Sequence, residues 1–253
     1  MGAHTGIEPH LTLVVPVYNG AARLSSNLGA LTAFLAAQPY ESELVLVDDG
    51  STERAARILR EFVAANPGAT LLDNGRNRGK GVSVARGILA GRGRFRVFLD
   101  SDLAYPPSEV NKILRELEGG ADVAIACRVL PDSRYLMSPE FFHYLYTRHI
   151  MSRVFNRLVR LVMLRGILDT QAGLKGFTAD AAAKIFPRVT IPGFGFDVEA
   201  LYIAQKHGLA VRQTAVHFRY DDEPSTVRFA EAVFRMAGDL FEVKLNDWRG
   251  RYA

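Results

Sequence analysis

Residues 43–51 read Glu-Leu-Val-Leu-Val-Asp-Asp-Gly-Ser, an alternation of apolar and β-branched residues that ends in two carboxylates and a glycine. The alternation predicts a β-strand, the glycine predicts a turn, and Ser51 is suited to cap a following helix. A helix is predicted over residues 52–62, where apolar side chains recur at helical spacing: Ala55, Ala56, Ile58, Leu59 and Phe62. This stretch therefore predicts a strand, a polar loop and a helix in succession.

The same succession occurs twice more. Residues 11–17 form an apolar run that leads through a polar loop into a predicted helix over about 21–37. Residues 95–99 form another apolar run, and Asp100-Ser101-Asp102 follows it directly. Alternating strands and helices of this kind predict an α/β fold with a mostly parallel central sheet flanked by helices, in which ligands bind at the carboxyl ends of the strands.

Composition limits the class of protein. The chain has 253 residues, of which 48% are hydrophobic and 23% charged, values that suit one large globular domain. Cys127 is the only cysteine, so no disulfide forms within the chain and a reducing compartment is expected. Residues 1–10 have neither a basic start nor an apolar stretch, and no run of 18 apolar residues occurs. We therefore predict neither a signal peptide nor a membrane-spanning helix.

Asp100 and Asp102 are the main candidates for a metal site. Two carboxylates at positions i and i+2, at the end of a buried strand, are suited to hold Mg²⁺ or Mn²⁺ against the diphosphate of a nucleotide-activated donor. An isolated pair of this kind is more often a set of turn or helix-capping aspartates. The second acidic strand end, at Asp48 and Asp49, favours the metal and nucleotide interpretation.

A glycine-rich loop lies between the two acidic strand ends. Residues 77–81 read Asn-Arg-Gly-Lys-Gly, and a predicted helix over 82–89 follows. The glycines let the backbone approach a phosphate, and Lys80 adds a positive charge. The spacing is not that of a Walker A motif, so the loop predicts phosphate contact without indicating an ATPase.

Residues 141–168 contain five arginines, two histidines and no acidic residue. Arg153, Arg157 and Arg160 share one helical face, while much of the other face is aromatic or aliphatic. Three interpretations of this segment are open. It is a helix in a membrane interface beside anionic head groups, a core helix with a solvated basic face, or a contact between two subunits. Nucleic-acid binding is disfavoured, because the basic residues belong to no recognisable motif and the acidic strand ends would repel phosphate without a metal.

The chain resembles the inverting glycosyltransferases of family 2, which have the Rossmann-like GT-A fold. The matching stretches are 15–19, 47–51, 77–81 and 100–102. Two further stretches, 166–178 and 196–204, carry the more discriminating D-T-Q-A-G and F-D-V-E motifs. Within the family the resemblance is greatest to the polyprenyl-phosphate sugar synthases, especially the dolichyl-phosphate β-glucosyltransferases. It implies a metal-dependent hexosyltransferase that uses a UDP-sugar, with UDP-glucose favoured, and Mg²⁺ or Mn²⁺.

The resemblance also implies residue roles on the donor side. A nucleotide pocket would be lined by Pro16, Tyr18, Asp48 and Asp49. Lys80 would neutralise the donor diphosphate, Asp100 would orient the ribose and the metal, and Asp102 would bind the metal directly. Their alternative roles are those of strand-end caps and a surface lysine.

On the acceptor side, the resemblance implies that Arg128 reaches the donor or acceptor phosphate, with Arg134 as a second cation. Arg219 aligns with a family arginine near the diphosphate, and a salt bridge to Asp221 or Asp222 is an equal alternative.

The acceptor itself is left open. A phosphate monoester is largely ionised at pH 7 and needs little help from a base. A hydroxyl acceptor requires a carboxylate base, for which Asp169 and Asp197 are the candidates. The two hypotheses are therefore transfer of a sugar, with glucose favoured, to a polyprenyl phosphate, and transfer to a hydroxyl of a small molecule or nucleoside by a soluble enzyme. A catalytically silent nucleotide-sugar-binding protein is disfavoured by the complete motif set.

Four departures from the family pattern bear on these expectations. Gly20 stands where a glutamate is usual, and Ala104 where many synthases carry a glutamine at the metal site. Residues 193–196, Gly-Phe-Gly-Phe, replace an aromatic-rich stretch and indicate a different acceptor surface. The N-terminal membrane anchor of the eukaryotic glucosyl enzymes is not predicted here.

Two units are predicted: a glycosyltransferase domain over residues 1–216 and a helical tail over 217–253. Five apolar residues recur at helical spacing in the tail: Phe229, Val233, Met236, Leu240 and Val243. Three arrangements of the tail are open: packing on the domain, contact with a membrane, and pairing of two subunits into a homodimer. The sequence does not choose among them. We expect a cytoplasmic protein, with peripheral attachment to the inner face of the membrane as an alternative.

Overall fold

A seven-stranded sheet forms the centre of the protein in the computed structural model, which describes residues 8–137, 163–220 and 229–253. Its strands, named in chain order, are β1 (Leu11–Val17), β2 (Ser42–Asp48), β3 (Ala69–Asp73), β4 (Phe95–Leu99), β5 (Val123–Cys127), β7 (Leu174–Thr178) and β8 (Val211–Ala215). They lie in the order β3-β2-β1-β4-β7-β5-β8. A second sheet pairs β6 (Arg134–Met137) with β9 (His217–Tyr220).

Seven helices are described: α1 (Ala21–Ala36), α2 (Glu53–Ala65), α3 (Lys80–Ala90), α4 (Val110–Glu118), α5 (Ala179–Ile185), α6 (Phe196–Lys206) and α7 (Phe229–Trp248). All seven residues of β1 are buried, as expected for a strand covered by helices on both faces. Leu24, Leu28 and Leu31 of α1 pack into the core on one side of the sheet, and Val84 and Ile88 of α3 pack on the other side. The predicted α/β fold with a mostly parallel sheet is confirmed.

One strand runs against the others. β7 pairs antiparallel with both β4 and β5, and Leu174 at its start lies opposite Leu99 at the end of β4. The residues just before β7 therefore stand at the same edge of the sheet as the carboxyl ends of the parallel strands. This arrangement brings the 169–173 stretch next to Asp100, across more than 60 residues of chain.

The described C-terminal residues pack against the rest of the structure. β9 continues from β8 and pairs with β6, so the predicted division at residue 216 falls between two strands that pack on the same body. Val243 of α7 and Tyr252 are fully buried in the core that contains α6. For the described part of the tail, packing on the domain is therefore the observed arrangement.

Most of the predicted basic segment, residues 141–162, lies outside the described residues. Beyond it, Met163, Leu164 and Ile167 are buried in the core around α6. Within the described ranges, no helix combines the length and the apolar character that crossing a membrane requires.

Candidate active site

The candidate site lies at the edge of the sheet where β1, β2 and β4 end. The two acidic strand ends predicted from the sequence meet here, because β1 pairs in parallel with both β2 and β4. Pro16 is buried inside β1, opposite Val47, and supports the edge from within. Tyr18, the first residue after β1, is exposed at this edge.

Asp48 is buried and shapes the turn after β2. Its carboxylate accepts a hydrogen bond from the backbone N–H of Ser51 at 2.9 Å. The Ser51 hydroxyl accepts in turn from the backbone N–H of Asn19 at 2.8 Å, which ties this turn to the loop after β1. Asn19 adopts a left-handed backbone conformation, with φ at 64°. These bonds fix the two loops against each other beside Tyr18.

Asp49 is also buried, and it organises the glycine-rich loop. Its carboxylate accepts from the backbone N–H groups of Arg78 and Gly79, at 2.9 and 3.0 Å. It also accepts from the side-chain amide of Asn74 at 2.7 Å. Because these donors engage both oxygens, the structure gives Asp49 a role in holding the 74–79 loop, beside the nucleotide contact predicted from the sequence.

Lys80 and Asp100 form the central ion pair of the site. The Lys80 ammonium lies 2.7 and 2.9 Å from the two carboxylate oxygens of Asp100, and both side chains are partly buried. Burial lowers the pKa of Lys80, but the carboxylates of Asp100 and Asp197 outweigh it and raise the pKa above its ordinary value. Lys80 is therefore a permanent cation at the N-terminus of α3, where a helix also favours an anion.

A neighbouring loop holds the glycines on either side of Lys80. The backbone N–H of Gly81 donates to the carbonyl of Pro192 at 2.7 Å. A Cβ on Gly79 would stand 2.3 Å from that same carbonyl oxygen, so the backbones approach too closely for a side chain. This contact sets the position of Lys80 relative to the sheet.

The D-T-Q-A-G motif supports Asp100 directly. The backbone N–H of Asp100 donates to the carbonyl of Gly173 at 2.9 Å. A Cβ on Gly173 would lie only 1.9 Å from the Asp100 carboxylate, so this carboxylate fills the space that a side chain would occupy. Gly173 thus determines where Asp100 points.

Asp102 is exposed and lies in the turn that follows Asp100. One of its oxygens accepts from the backbone N–H of Ala104 at 3.0 Å. In the described residues there is no cluster of three or more histidine, cysteine or acidic residues, so the protein offers no complete metal cage there. Two neighbouring carboxylates with oxygen donors alone nevertheless fit Mg²⁺ or Mn²⁺, which bind through one or two carboxylates together with substrate phosphates. Asp100 and Asp102 are the residues that would hold such an ion.

Arg128 is held by Asp169 in a bidentate ion pair. Its Nε and Nη2 atoms donate to the two Asp169 oxygens at 2.7 and 2.9 Å, and its backbone N–H donates to the same carboxylate at 3.0 Å. Asp169 is 1% exposed. Burial raises the pKa of Asp169, but Arg128 outweighs this effect and holds the pKa below its ordinary value. The carboxylate predicted as a candidate base therefore serves to orient Arg128.

We predict that Asp169→Asn flattens the acid dependence of stability. Because the pKa of Asp169 is lower in the folded than in the unfolded protein, the contribution of the pair is present above the ordinary aspartate pKa and lost as the pH falls through the folded value. The free energy of unfolding of the unchanged protein should thus fall as the pH is lowered below about 4, the ordinary aspartate pKa, and fall less for the variant. Urea unfolding at a series of pH values measures this. If the free energy of unfolding depended on pH in the same way in both proteins, the lowered pKa of Asp169 would be contradicted.

Asp197, the other candidate base, is also engaged by a cation. Its carboxylate lies 2.6 Å from the ammonium of Lys175, and the two side chains are 2% and 1% exposed. Lys175 also donates to the carbonyl of Ala172 at 2.6 Å. Burial raises the pKa of Asp197 and lowers that of Lys175, against their mutual attraction. In the described structure, Asp197 is therefore a buried partner of Lys175.

Sequence reasoning missed Lys175. It lies in β7, two residues after Gly173, and is the only charged residue of that strand. A lone lysine in a buried strand is the one signal that points to a charged partner. Lys175 holds the backbone at Ala172 through its hydrogen bond to that residue's carbonyl, and the next residue, Gly173, accepts a hydrogen bond from the backbone of Asp100.

A second missed residue is Glu199, which is fully buried in α6. Its carboxylate accepts from the backbone N–H groups of Thr190 and Ile191, at 2.9 and 2.8 Å, and from the Tyr252 hydroxyl at 2.6 Å. These bonds hold the loop whose Pro192 carbonyl receives Gly81. The glutamate of the F-D-V-E motif thus links the C-terminal residues to the Lys80 loop.

The remaining predicted cations lie in the small sheet beside the site. Arg219 is exposed on β9, and its backbone N–H donates to the carbonyl of Ala104, the second residue after Asp102, at 2.7 Å. Arg134 is exposed on β6. Asp221 and Asp222, the alternative partners of Arg219, lie outside the described residues. The backbone of Arg219 thus borders the Asp102 turn, whereas Arg134 pairs with His217 on the neighbouring strand. The roles of both arginines stay predictions.

Fold and site together define a nucleotide-sugar transferase of the GT-A type. Among solved structures, glucosyl-3-phosphoglycerate synthase from Mycobacterium tuberculosis, with phosphoglyceric acid bound, aligns with a TM-score of 0.67 at 18% identity, over 93% of this chain and 80% of that one. The same enzyme with Mn²⁺, UDP-glucose and phosphoglyceric acid aligns with a TM-score of 0.68 at 17% identity, over 93% and 79% of the two chains. These similarities show the shared fold.

The model of the family described as "Glycosyl transferase family 2" matches residues 12–186. The dolichyl-phosphate β-glucosyltransferase of Dictyostelium discoideum is 32% identical over 248 residues, covering 93% of this chain and 74% of the relative. That of Drosophila melanogaster is 33% identical over 247 residues, covering 92% and 74%. The chain belongs to glycosyl transferase family 2, and the resemblance predicted from its motifs is confirmed.

Proposed function

We propose that this protein transfers glucose from UDP-glucose to the phosphate of a polyprenyl lipid, with inversion at the anomeric carbon. The proposal rests mainly on the burial and the ion pairing of the two candidate bases. Asp169 and Asp197 are both buried and both paired with cations. A hydroxyl acceptor would need one of them to take its proton, whereas a phosphate acceptor needs none. The names of the relatives, dolichyl-phosphate β-glucosyltransferases, support the same acceptor class.

The donor is bound by the strand-end loops. The exposed ring of Tyr18 is placed to contact the base, and the turn shaped by Asp48 lies beside it. Lys80, at the N-terminus of α3, supplies positive charge for the diphosphate. Asp100 and Asp102 would hold a divalent cation, and this ion would supply positive charge to offset the charge on the departing diphosphate.

The acceptor phosphate is positioned by arginine. A phosphate monoester has a second pKa of about 6 and is largely a dianion at pH 7. Arg128, held rigid by Asp169, provides a planar set of donors suited to phosphate. Its guanidinium carbon lies 6.0 Å from the ring of Phe218, the neighbour of Arg219 on β9, and Arg134 lies on the paired strand β6. Cations here offset the repulsion between the acceptor and the donor diphosphate.

Transfer then needs no proton shuttle. A phosphate oxygen attacks the anomeric carbon from the face opposite the UDP group and forms a new C–O bond. The bond between that carbon and the diphosphate oxygen breaks, and its electron pair leaves with UDP. An α-linked donor therefore gives a β-linked lipid phosphate product.

The test is a transfer panel with the purified protein and Mg²⁺ or Mn²⁺. UDP-glucose, UDP-galactose, UDP-N-acetylglucosamine and GDP-mannose are each offered with a short-chain polyprenyl phosphate or with small-molecule hydroxyl acceptors, and Asp102→Ala serves as the inactive control. We expect transfer from UDP-glucose to the lipid phosphate. The rate should rise with pH through the second pKa of the acceptor, about 6, and then level off. Transfer to hydroxyl acceptors alone would overturn the proposal.

A further inference from the structure

The outward face of α7 carries large apolar side chains. Phe241 and Trp248 are 73% and 84% exposed, and Leu245 lies between them on the same face. The spacing i, i+4 and i+7 places the three side chains in one line along the helix.

This face is not the one that packs on the protein. Leu240 and Val243 point into the core around α6, and Asn246 is buried with its amide donating to Thr190 at 3.0 Å. Asp247 points the same way and is bonded to Tyr202. A helix with one packed face normally turns polar residues to water, so a second line of apolar side chains marks an interaction surface.

Cations flank the apolar line. Arg249 and Arg251, just after the end of α7, are exposed, against one exposed anion, Glu242, among the described side chains of 238–253. Lys244 is also exposed, but its ammonium lies 4.7 Å from the ring of Tyr202, towards the packed side. The two other acidic side chains in this part of α7 point inward: Asp247 as described above, and Asp239, whose carboxylate lies against Gly195. The surface thus combines exposed aromatic rings with a net positive rim.

We propose that this outward face of α7, centred on Phe241, Leu245 and Trp248, docks on an anionic phospholipid membrane. Aromatic side chains settle at the level of lipid head groups because one end is apolar and the other polar. Lysine and arginine beside them are attracted to anionic lipids. The inference rests on the proposed function in one respect, since a polyprenyl phosphate is reached at a bilayer.

The position of α7 relative to the site agrees with this role. Asp239 contacts Gly195, the neighbour of Phe194. Phe194 is exposed, and its ring lies 5.8 Å from the ammonium of Lys80. The rim of the active site therefore lies next to the packed side of α7, so docking through the outward face would keep the site close to the membrane surface, where a lipid-linked acceptor is presented.

The protein contains its own probe, because Trp248 is its only tryptophan. The experiment measures Trp248 emission and co-sedimentation with phosphatidylcholine vesicles, with and without phosphatidylglycerol. We expect a blue shift and retention that require phosphatidylglycerol and decrease with salt. Arg249→Gln should weaken retention about fivefold. Phe241→Ser should weaken it by about fivefold or more. Leu89→Ser, which changes an exposed apolar residue on α3, is the matched control and should bind as the unchanged protein does.

Three outcomes would overturn the proposal. The first is an unchanged emission in the presence of either kind of vesicle. The second is equal binding to both lipid compositions. The third is a blue-shifted emission without lipid together with a dimer by light scattering, which would make a second copy the occupant. Transfer to a short-chain acceptor without vesicles, measured on the same samples, tests the proposed function separately.

Discussion

Gly173→Ala is expected to reduce the rate of transfer about 10²-fold while the protein stays folded. The added methyl group would stand 1.9 Å from the Asp100 carboxylate, which therefore has to move. Asp100 is partly exposed, so its side chain can rotate away without disturbing the core. The displaced carboxylate would leave both Lys80 and the place of the metal ion. Steady-state transfer kinetics and a thermal melt of the same sample measure the two effects.

The matched control is Gly29→Ala, a glycine in α1 with open space around the position of the added atom. It should leave transfer unchanged and raise stability by up to about 1 kcal/mol, because alanine favours a helix. Equal transfer rates for Gly173→Ala and the unchanged protein would show that the position of Asp100 is not required for the reaction.

Asp197→Ala is expected to lower the free energy of unfolding by about 3–5 kcal/mol, because it leaves the buried ammonium of Lys175 without its carboxylate. Lys175 then keeps only the carbonyl of Ala172 among the contacts described above. Urea unfolding at pH 7 measures the loss. A second variant, Lys175→Met with Asp197→Leu, removes both charges and should recover much of the stability, since a well-packed apolar pair avoids desolvation of charge.

An exposed ion pair serves as the control for this prediction. Arg57 and Glu61 lie 3.9 Å apart on α2, and both are well exposed. Glu61→Ala should lower the free energy of unfolding by less than about 0.5 kcal/mol. A loss of under about 1 kcal/mol for Asp197→Ala would contradict the buried pair and return Asp197 to the candidates for a base.

Three ion pairs meet at one edge of the sheet: Lys80 with Asp100, Lys175 with Asp197, and Arg128 with Asp169. Each cation stands next to a carboxylate that fixes its position. The orientation of Lys80 and Arg128 is thereby fixed by the protein itself, which, under the proposed function, lowers the reorganisation needed to receive two phosphate groups. Preorganised positive charge is what a reaction between two anions requires.

The strand and helix pattern was predictable because it is local. Residues 43–51 form β2 and the turn after it, and the helices after β1 and β2 begin within a residue of the predicted positions. Asp48 and Asp100 were correctly expected at one edge, since parallel strands end together. The tail helix was also predicted, although not that α7 would be apolar on its outward as well as its inward face.

By itself, therefore, the sequence determined the fold class and the family, because short-range periodicity and compact motifs encode them. Only the tertiary structure decided that the two candidate bases are buried and paired with cations. Asp169 and Asp197 meet Arg128 and Lys175 only because β7 inserts antiparallel between β4 and β5, which pairs residues 41 and 22 positions apart. Burial and a cationic partner determine whether a carboxylate takes a proton or holds a neighbour, and neither is a property of the residue's place in the chain.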